Sequence, residues 1–395
     1  MMQYLNQHKV FLLVLSSVIY FLFGYFYVSG YDIRVYNLPW ILAFKNINLL
    51  HLYDQTFVNP LAFNYPPILG VIYYLIHQPV IWAYTHHFIH LAYLLIKLPF
   101  ILIHFLILFG LYRMKHEKTL IFWMVNPIWV VITAMWGQFD EVFCFMIYVL
   151  IDRMAHQKYK NLWSLFALMC LFKHQGAYFV FPLCLYTWVV KVNRTTKIKE
   201  FVKGVGIGIF GWLPFMLLYQ DIVYPIKFML HALYLPSDLF STSCNFWLFI
   251  ELFLSTNIYH VLERFSLIFI LIAMCIGLMV YQKTQDMIVS IYIYFFSIFM
   301  ITLKQLDRYF VYFFMVNVYM IFISHGHQIR YKKTLIIALL TNFVFLIFNN
   351  IKWNDVMMIV AVIVEFAAAT LFCIEYIDIV SYVLTNVESV EKRRE

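Results

Sequence analysis

Six short clusters in this sequence combine carboxylates, cations, amides and aromatic rings at spacings that could do chemistry. In chain order they are residues 30–36, with Asp32 and Arg34; 64–67, with Tyr65; 136–141, with Trp136, Gln138 and Asp140; 173–175, with Lys173, His174 and Gln175; 243–247, with Asn245 and Trp247; and 304–309, with Lys304, Asp307 and Arg308. Carboxylates can take the proton of a high-pKa hydroxyl as a new bond forms. Asp32 leads as that base, with Asp140 and Asp307 behind it. Cations stabilise negative charge that grows on a departing oxygen, more in the transition state than in the ground state. Arg308, Lys304, Lys173 and His174 suit a leaving phosphate, while the Trp, Tyr, Asn and Gln side chains suit stacking on and hydrogen bonding to a sugar.

The elements that carry these clusters must be membrane helices. Of 395 residues, 64% are hydrophobic and 12% charged, against about 25% charged in a soluble domain, and the mean hydropathy is +0.80. A spanning helix needs about 20 apolar residues. Twelve runs approach that, at about 8–28, 88–112, 119–135, 140–152, 161–172, 176–190, 204–219, 264–282, 286–302, 309–324, 335–350 and 354–380. The expected fold is all-α: a single polytopic domain over 1–395 with about twelve transmembrane helices. Its first extracytoplasmic loop, 29–87, is large and holds interfacial or re-entrant segments. The first run is longer than a signal-peptide core and is read as a retained helix.

Lys and Arg collect in short cytoplasmic loops, and 19 of the 28 fall at one set of helix ends, among them Lys9, Arg113, Lys115, Lys118, Arg153, Lys283 and Arg330. Both termini are therefore expected in the cytoplasm and all six clusters on the opposite face. That assignment requires 65–82, which contains Pro66, Pro67 and Pro79, to make no crossing. It also accounts for the net charge of +8 without a nucleic-acid partner.

Other roles compete at single positions. Asp140 could cap the following helix, Lys173 could snorkel, and Arg308 could pair with Asp307. Trp136 could be an interfacial belt residue. Lys97 and His104, two turns apart, could bridge to neighbouring helices. The six Cys show no disulfide or zinc spacing. A divalent metal could be held by Asp32, Asp140 and Asp307, but no ligand spacing demands one, and no metal site or cofactor is assigned. No Walker or dinucleotide glycine pattern is present, which argues against nucleotide-sugar donors.

In order along the chain these clusters resemble the GT-C-type glycosyltransferases, multi-spanning enzymes that use polyprenyl-phosphate sugars, and especially the group of the second mannosyltransferase of GPI-anchor assembly. The matching elements are Asp32 in the first outer loop, Tyr65-Pro66-Pro67 at its end, Asn126-Pro127 leading to Trp136-Gly137-Gln138-Phe139-Asp140, Lys173-His174-Gln175, Asn245-Phe246-Trp247 and Leu306-Asp307-Arg308-Tyr309. The sequence departs from that pattern with His174 where Pro is usual, Asp307 where Glu is usual, and His104 where relatives often carry Asp. The resemblance implies an inverting hexosyltransferase with Asp32 as base and Arg308 on the phosphate. Its partners would be a lipid-linked sugar donor, a glycan or glycolipid acceptor and membrane lipids. A flippase of lipid-linked sugars and a glycan polymerase or ligase are the alternatives; the oligomeric state stays open.

Overall fold

The computed structural model describes residues 8–28, 32–53, 63, 65–234, 247–248, 266–302, 310–323 and 355–385. Every regular element among them is helical. Residues 1–395, read from the sequence as one domain, pack as two compact units: 1–150 with 158–232, and 151–157 with 233–395.

The first unit opens with α1 (Lys9–Phe26), followed by a π-helical turn (Ile33–Asn37), α2 (Leu38–Ala43), a 3-10 turn (Leu49–Tyr53), α3 (Pro67–Thr85) and α4 (Ile89–Arg113). α1 and α4 run antiparallel, and polar contacts set their register. His90 Nδ1 meets the Tyr25 carbonyl at 3.1 Å, and Lys97 Nζ donates to the carbonyls of Gly24 and Tyr27. One stage further along, the His104 ring stacks on Tyr20 with centroids 4.0 Å apart. At the far end Lys9 pairs with Glu117 at 2.8 Å. The ladder puts Lys9 and the basic 113–118 stretch at one end of the helix pair, and both ends of segment 27–88 at the other.

That arrangement refines the expectation for 65–82. The stretch is one 19-residue helix, α3, apolar enough to cross a bilayer and about 28 Å long. Pro67 sits at its first position, where a missing N–H costs nothing. Yet α3 turns directly into α4 through His86–Phe88, with His87 left-handed at φ 63°, so segment 27–88 returns to the end of α1 from which it left.

α5 (Glu117–Val125) and α6 (Pro127–Trp129, continuing as a π turn over Val130–Met135) form a pair bent by 50°. The cause is local: Pro127 cannot continue the ladder of α5, and the Asn126 side chain accepts from Ile128 N at 3.1 Å to start the next helix. α7 (Asp140–Ala155), α8 (Leu162–Phe172), a 3-10 turn (His174–Phe179), α9 (Val180–Val189), α10 (Arg194–Leu218) and α11 (Tyr224–Tyr234) follow. α10 begins ten residues before the apolar run at 204. Asn193 caps it by accepting from Thr196 N at 2.8 Å, so the basic residues 194–203, expected in a loop, lie on its first turns. An aromatic core under the first loop joins Trp40, Tyr53, Phe63, Phe139, Phe172, Trp212 and Phe215.

In the second unit, α12 (Ser266–Thr284), α13 (Met287–Ile301), α14 (Phe310–Phe322) and α15 (Asp355–Thr385) are described. α13 is uncharged and buried on all sides from Val289 to Met300. Ser290 Oγ donates to the Gly277 carbonyl at 2.7 Å, and Ser297 Oγ meets Tyr376 Oη at 2.7 Å. Eleven of the twelve apolar runs fall on helices; the run 335–350 lies outside the described residues. Among those residues five helices are long and apolar enough to cross a membrane, or six counting the bent pair.

Candidate functional site

The centre of the candidate site is a contact between two clusters 106 residues apart. Asp32, where the chain leaves α1 for the π turn, accepts a hydrogen bond through Oδ2 from Gln138 Nε2 at 2.7 Å. Gln138 stands on the turn between the π segment of α6 and α7. Gly137 makes that turn possible: its φ is +64°, and a Cβ there would come within 2.8 Å of Ile33 Cδ1 and 3.2 Å of Lys97 Cγ. Two buried polar atoms near Asp32, Gln138 Oε1 and Tyr73 Oη, have no hydrogen-bond partner among the described residues. Tyr73 lies close enough for its hydroxyl to feel the Asp32 carboxylate. Arg34 is exposed and lies near Tyr93 of α4.

Asp140 and Lys173 occupy the second half of the site and face each other. Lys173 Nζ is directed at Asp140 Oδ1, and both side chains are 0% exposed. Lys173 therefore has a counterion inside the protein, where Asp140 also sits at the positive N-terminal end of α7. The Phe139 ring lies under the ammonium at 5.1 Å, and Tyr65 packs edge-on against Phe139, centroids 4.9 Å apart. Tyr65 is held in turn by Tyr53, whose hydroxyl donates to its carbonyl at 2.7 Å.

His174 follows on the 3-10 turn with its ring 6.5 Å from that of Tyr65. Burial, with the Lys173 ammonium beside it, pushes its imidazole down to about 3 despite the nearby Asp140 carboxylate. His174 is thus held neutral at physiological pH. Gln175 and Trp136 are buried on the same two turns.

Sequence reasoning placed Glu141 in the 136–141 cluster but gave it no role of its own. It is 1% exposed and collects three donors: His104 Nδ1 at 2.5 Å, Trp123 Nε1 at 2.7 Å and Thr133 Oγ1 at 2.7 Å. The available signal was an acid beside Asp140 and a histidine inside an apolar run, since ionisable groups in such runs are costly and need partners. Lys97 and His104 do bridge from α4 to other helices, as their spacing suggested: Lys97 to the C-terminal carbonyls of α1, and His104 to Glu141 of α7.

Trp247 belongs to the second unit, where its indole N–H is engaged by the Ile301 carbonyl at 2.8 Å. Asn245, Lys304, Asp307 and Arg308 lie outside the described residues. Among the described residues no group of three or more His, Cys, Asp or Glu side chains could hold a metal, and the set Asp32, Asp140 and Asp307 falls partly outside them. The sequence matches no family model and no curated protein.

Proposed function

We propose that this protein is an integral-membrane glycosyltransferase of the GT-C type that moves a hexose from a polyprenyl-phosphate carrier to a glycan or lipid-linked acceptor outside the cytoplasm. The observation that carries the reading is the Asp32–Gln138 hydrogen bond, which joins the acid of the first outer loop to the Trp-Gly-Gln turn. An amide donor on Oδ2 fixes the direction of the carboxylate. Asp32 then takes the acceptor hydroxyl proton as the oxygen attacks the anomeric carbon. The bond from that carbon to the phosphate oxygen breaks on the opposite face, so configuration inverts and polyprenyl phosphate departs. Lys304 and Arg308 receive the phosphate in this reading, since Lys173 is committed to Asp140. Gln138 Oε1 and the Tyr73 hydroxyl, both without a hydrogen-bond partner among the described residues, suit the hydroxyls of a sugar.

The membrane arrangement proposed with it has twelve crossings, both termini in the cytoplasm and Asp32 on the outer side. The clustering of Lys and Arg supports this, as does the pairing of Lys9 with Glu117 at the basic end of the α1–α4 pair. The deciding experiment incubates purified protein with labelled polyprenyl-phosphate hexoses and measures release of polyprenyl phosphate. Asp32→Asn should keep its membrane level and lose about 10²–10⁴-fold in turnover. Near-normal turnover in that variant overturns the assignment, and carrier moved across vesicles without cleavage favours a flippase.

A further inference from the structure

Gln138 can hold Asp32 only if the turn that presents it is rigid, and both backbone and side chains anchor that turn. Trp136 N and Gln138 N each donate to the preceding π segment, at Val131 O and Ile132 O, both 2.9 Å, and Gly137 is left-handed. Across the neck of the turn, Thr133 Oγ1 donates to Glu141 Oε2 at 2.7 Å. The other carboxylate oxygen is fixed from two further helices, by Trp123 of α5 and His104 of α4. Because Nδ1 of His104 faces a carboxylate it carries the proton. The ring cannot swing away, since Tyr20 stacks on it and Ser16 Oγ lies 3.5 Å from Nε2. All four members of the node are at most 1% exposed, so the donors have no water to turn to.

We infer that Glu141, stapled to Thr133 and braced by His104 and Trp123, is a positioning residue that keeps Gln138 on Asp32. This rests on the glycosyltransferase reading only in naming Asp32 as the base. The node touches no reacting atom; it acts through the 136–139 turn. Among the described residues the titratable and charged groups near Asp32 include Tyr73, with Tyr65 beside it, and, beyond Gly137, Lys97; Arg34 follows two residues along the chain. Around Glu141 they are His104, Tyr20 and Cys144, with Asp140 and Lys173 next along. The two sets meet at the turn, so a change in the node should reach Asp32 through Gln138.

The test reads the hydrogen bond on Asp32 directly, as the antisymmetric carboxylate stretch in infrared difference spectra of the full-length protein, assigned by its absence in Asp32→Asn. Gln138→Leu should move the band to higher wavenumber, because it removes the donor to Oδ2. Thr133→Val, nearly isosteric, should move it in the same direction, and Thr133→Ser should restore it. In a Gln138→Leu background Thr133→Val should add nothing. An unchanged band in Thr133→Val overturns the inference, as does an effect that adds fully to Gln138→Leu. Glu141→Met should exceed Thr133→Val, and if it does not accumulate, the Thr133 pair still decides. Band shifts without sugar transfer in any preparation would leave the staple standing and refute the transferase instead.

Discussion

Lys173 and Asp140 are each other's counterions within the protein, 33 residues apart and wholly shielded from solvent. The relationship changes what the Lys173-His174-Gln175 turn is for. A lysine so placed locks the end of α8 to the start of α7 and holds Phe139 beneath it, so the turn supports the site without contributing net charge.

Breaking that pair leaves one charge buried and uncompensated. Lys173→Met should destabilise the protein by about 3–5 kcal/mol, and Asp140→Leu similarly. The double variant should recover most of the loss, since neither charge then remains. Thermal unfolding in detergent, followed by tryptophan fluorescence, checks this: a double variant as unstable as the sum of the singles would deny the pairing.

Gly137 is the residue of the turn that no side chain can replace. Gly137→Ala meets both the left-handed backbone, worth about 1–2 kcal/mol, and the 2.8 Å approach of Ile33 Cδ1. Transfer activity should fall by at least tenfold, and Ile33→Val should recover part of it by removing the clash while leaving the backbone cost.

Replacing Tyr73 with Phe should separate stability from function. The hydroxyl is buried without a described partner, so Tyr73→Phe should leave unfolding unchanged or raise its midpoint. If that hydroxyl receives a sugar, KM should rise severalfold with kcat little changed. A destabilised variant with normal KM would assign the hydroxyl to the scaffold.

His174 predicts a pH dependence of stability with a definite sign. The folded-state value of about 3 lies below the 6.5 of an unfolded histidine. Between those values the unfolded chain binds a proton that the folded chain refuses. Stability should therefore fall as pH drops from 6.5 toward 3, by at most about 1.4 kcal/mol per unit, and His174 should contribute no slope above 6.5. Chemical unfolding at pH 4, 5, 6 and 7 should show a shallower decline in His174→Gln.

Much of this architecture is legible in composition because hydrocarbon-compatible runs are also helices, and eleven runs proved so. The start of α10 was missed for a physical reason. Hydropathy registers where a bilayer would accept the chain, whereas residues 194–203 carry charges at Arg194, Lys197, Lys199, Glu200 and Lys203, which hydropathy scores as loop. The meeting of Asp32 with Gln138 was foreshadowed only as membership of one face. The pairing itself depends on Gly137 and on contacts 100 and 106 residues apart. Charge type alone does not give the surroundings of Lys173 and His174, because a cation's availability is decided by its neighbours. Glu141 stayed hidden because its partners come from α4, α5 and the π segment of α6, and no spacing along the chain announces them.

The polar ladder between α1 and α4 also bears on how the protein is made. α1 is apolar, and much of its surface, including Val10, Phe11, Leu22 and Phe26, is left uncovered by protein, so it can enter lipid as soon as it is synthesised. α4 cannot do so at the same low cost. Lys97 finds its acceptors on α1, already in place, but His104 must wait for Glu141, which is 37 residues further along the chain. Co-translational insertion should therefore hold α4 at the insertion machinery, or beside α1, until the start of α7 emerges.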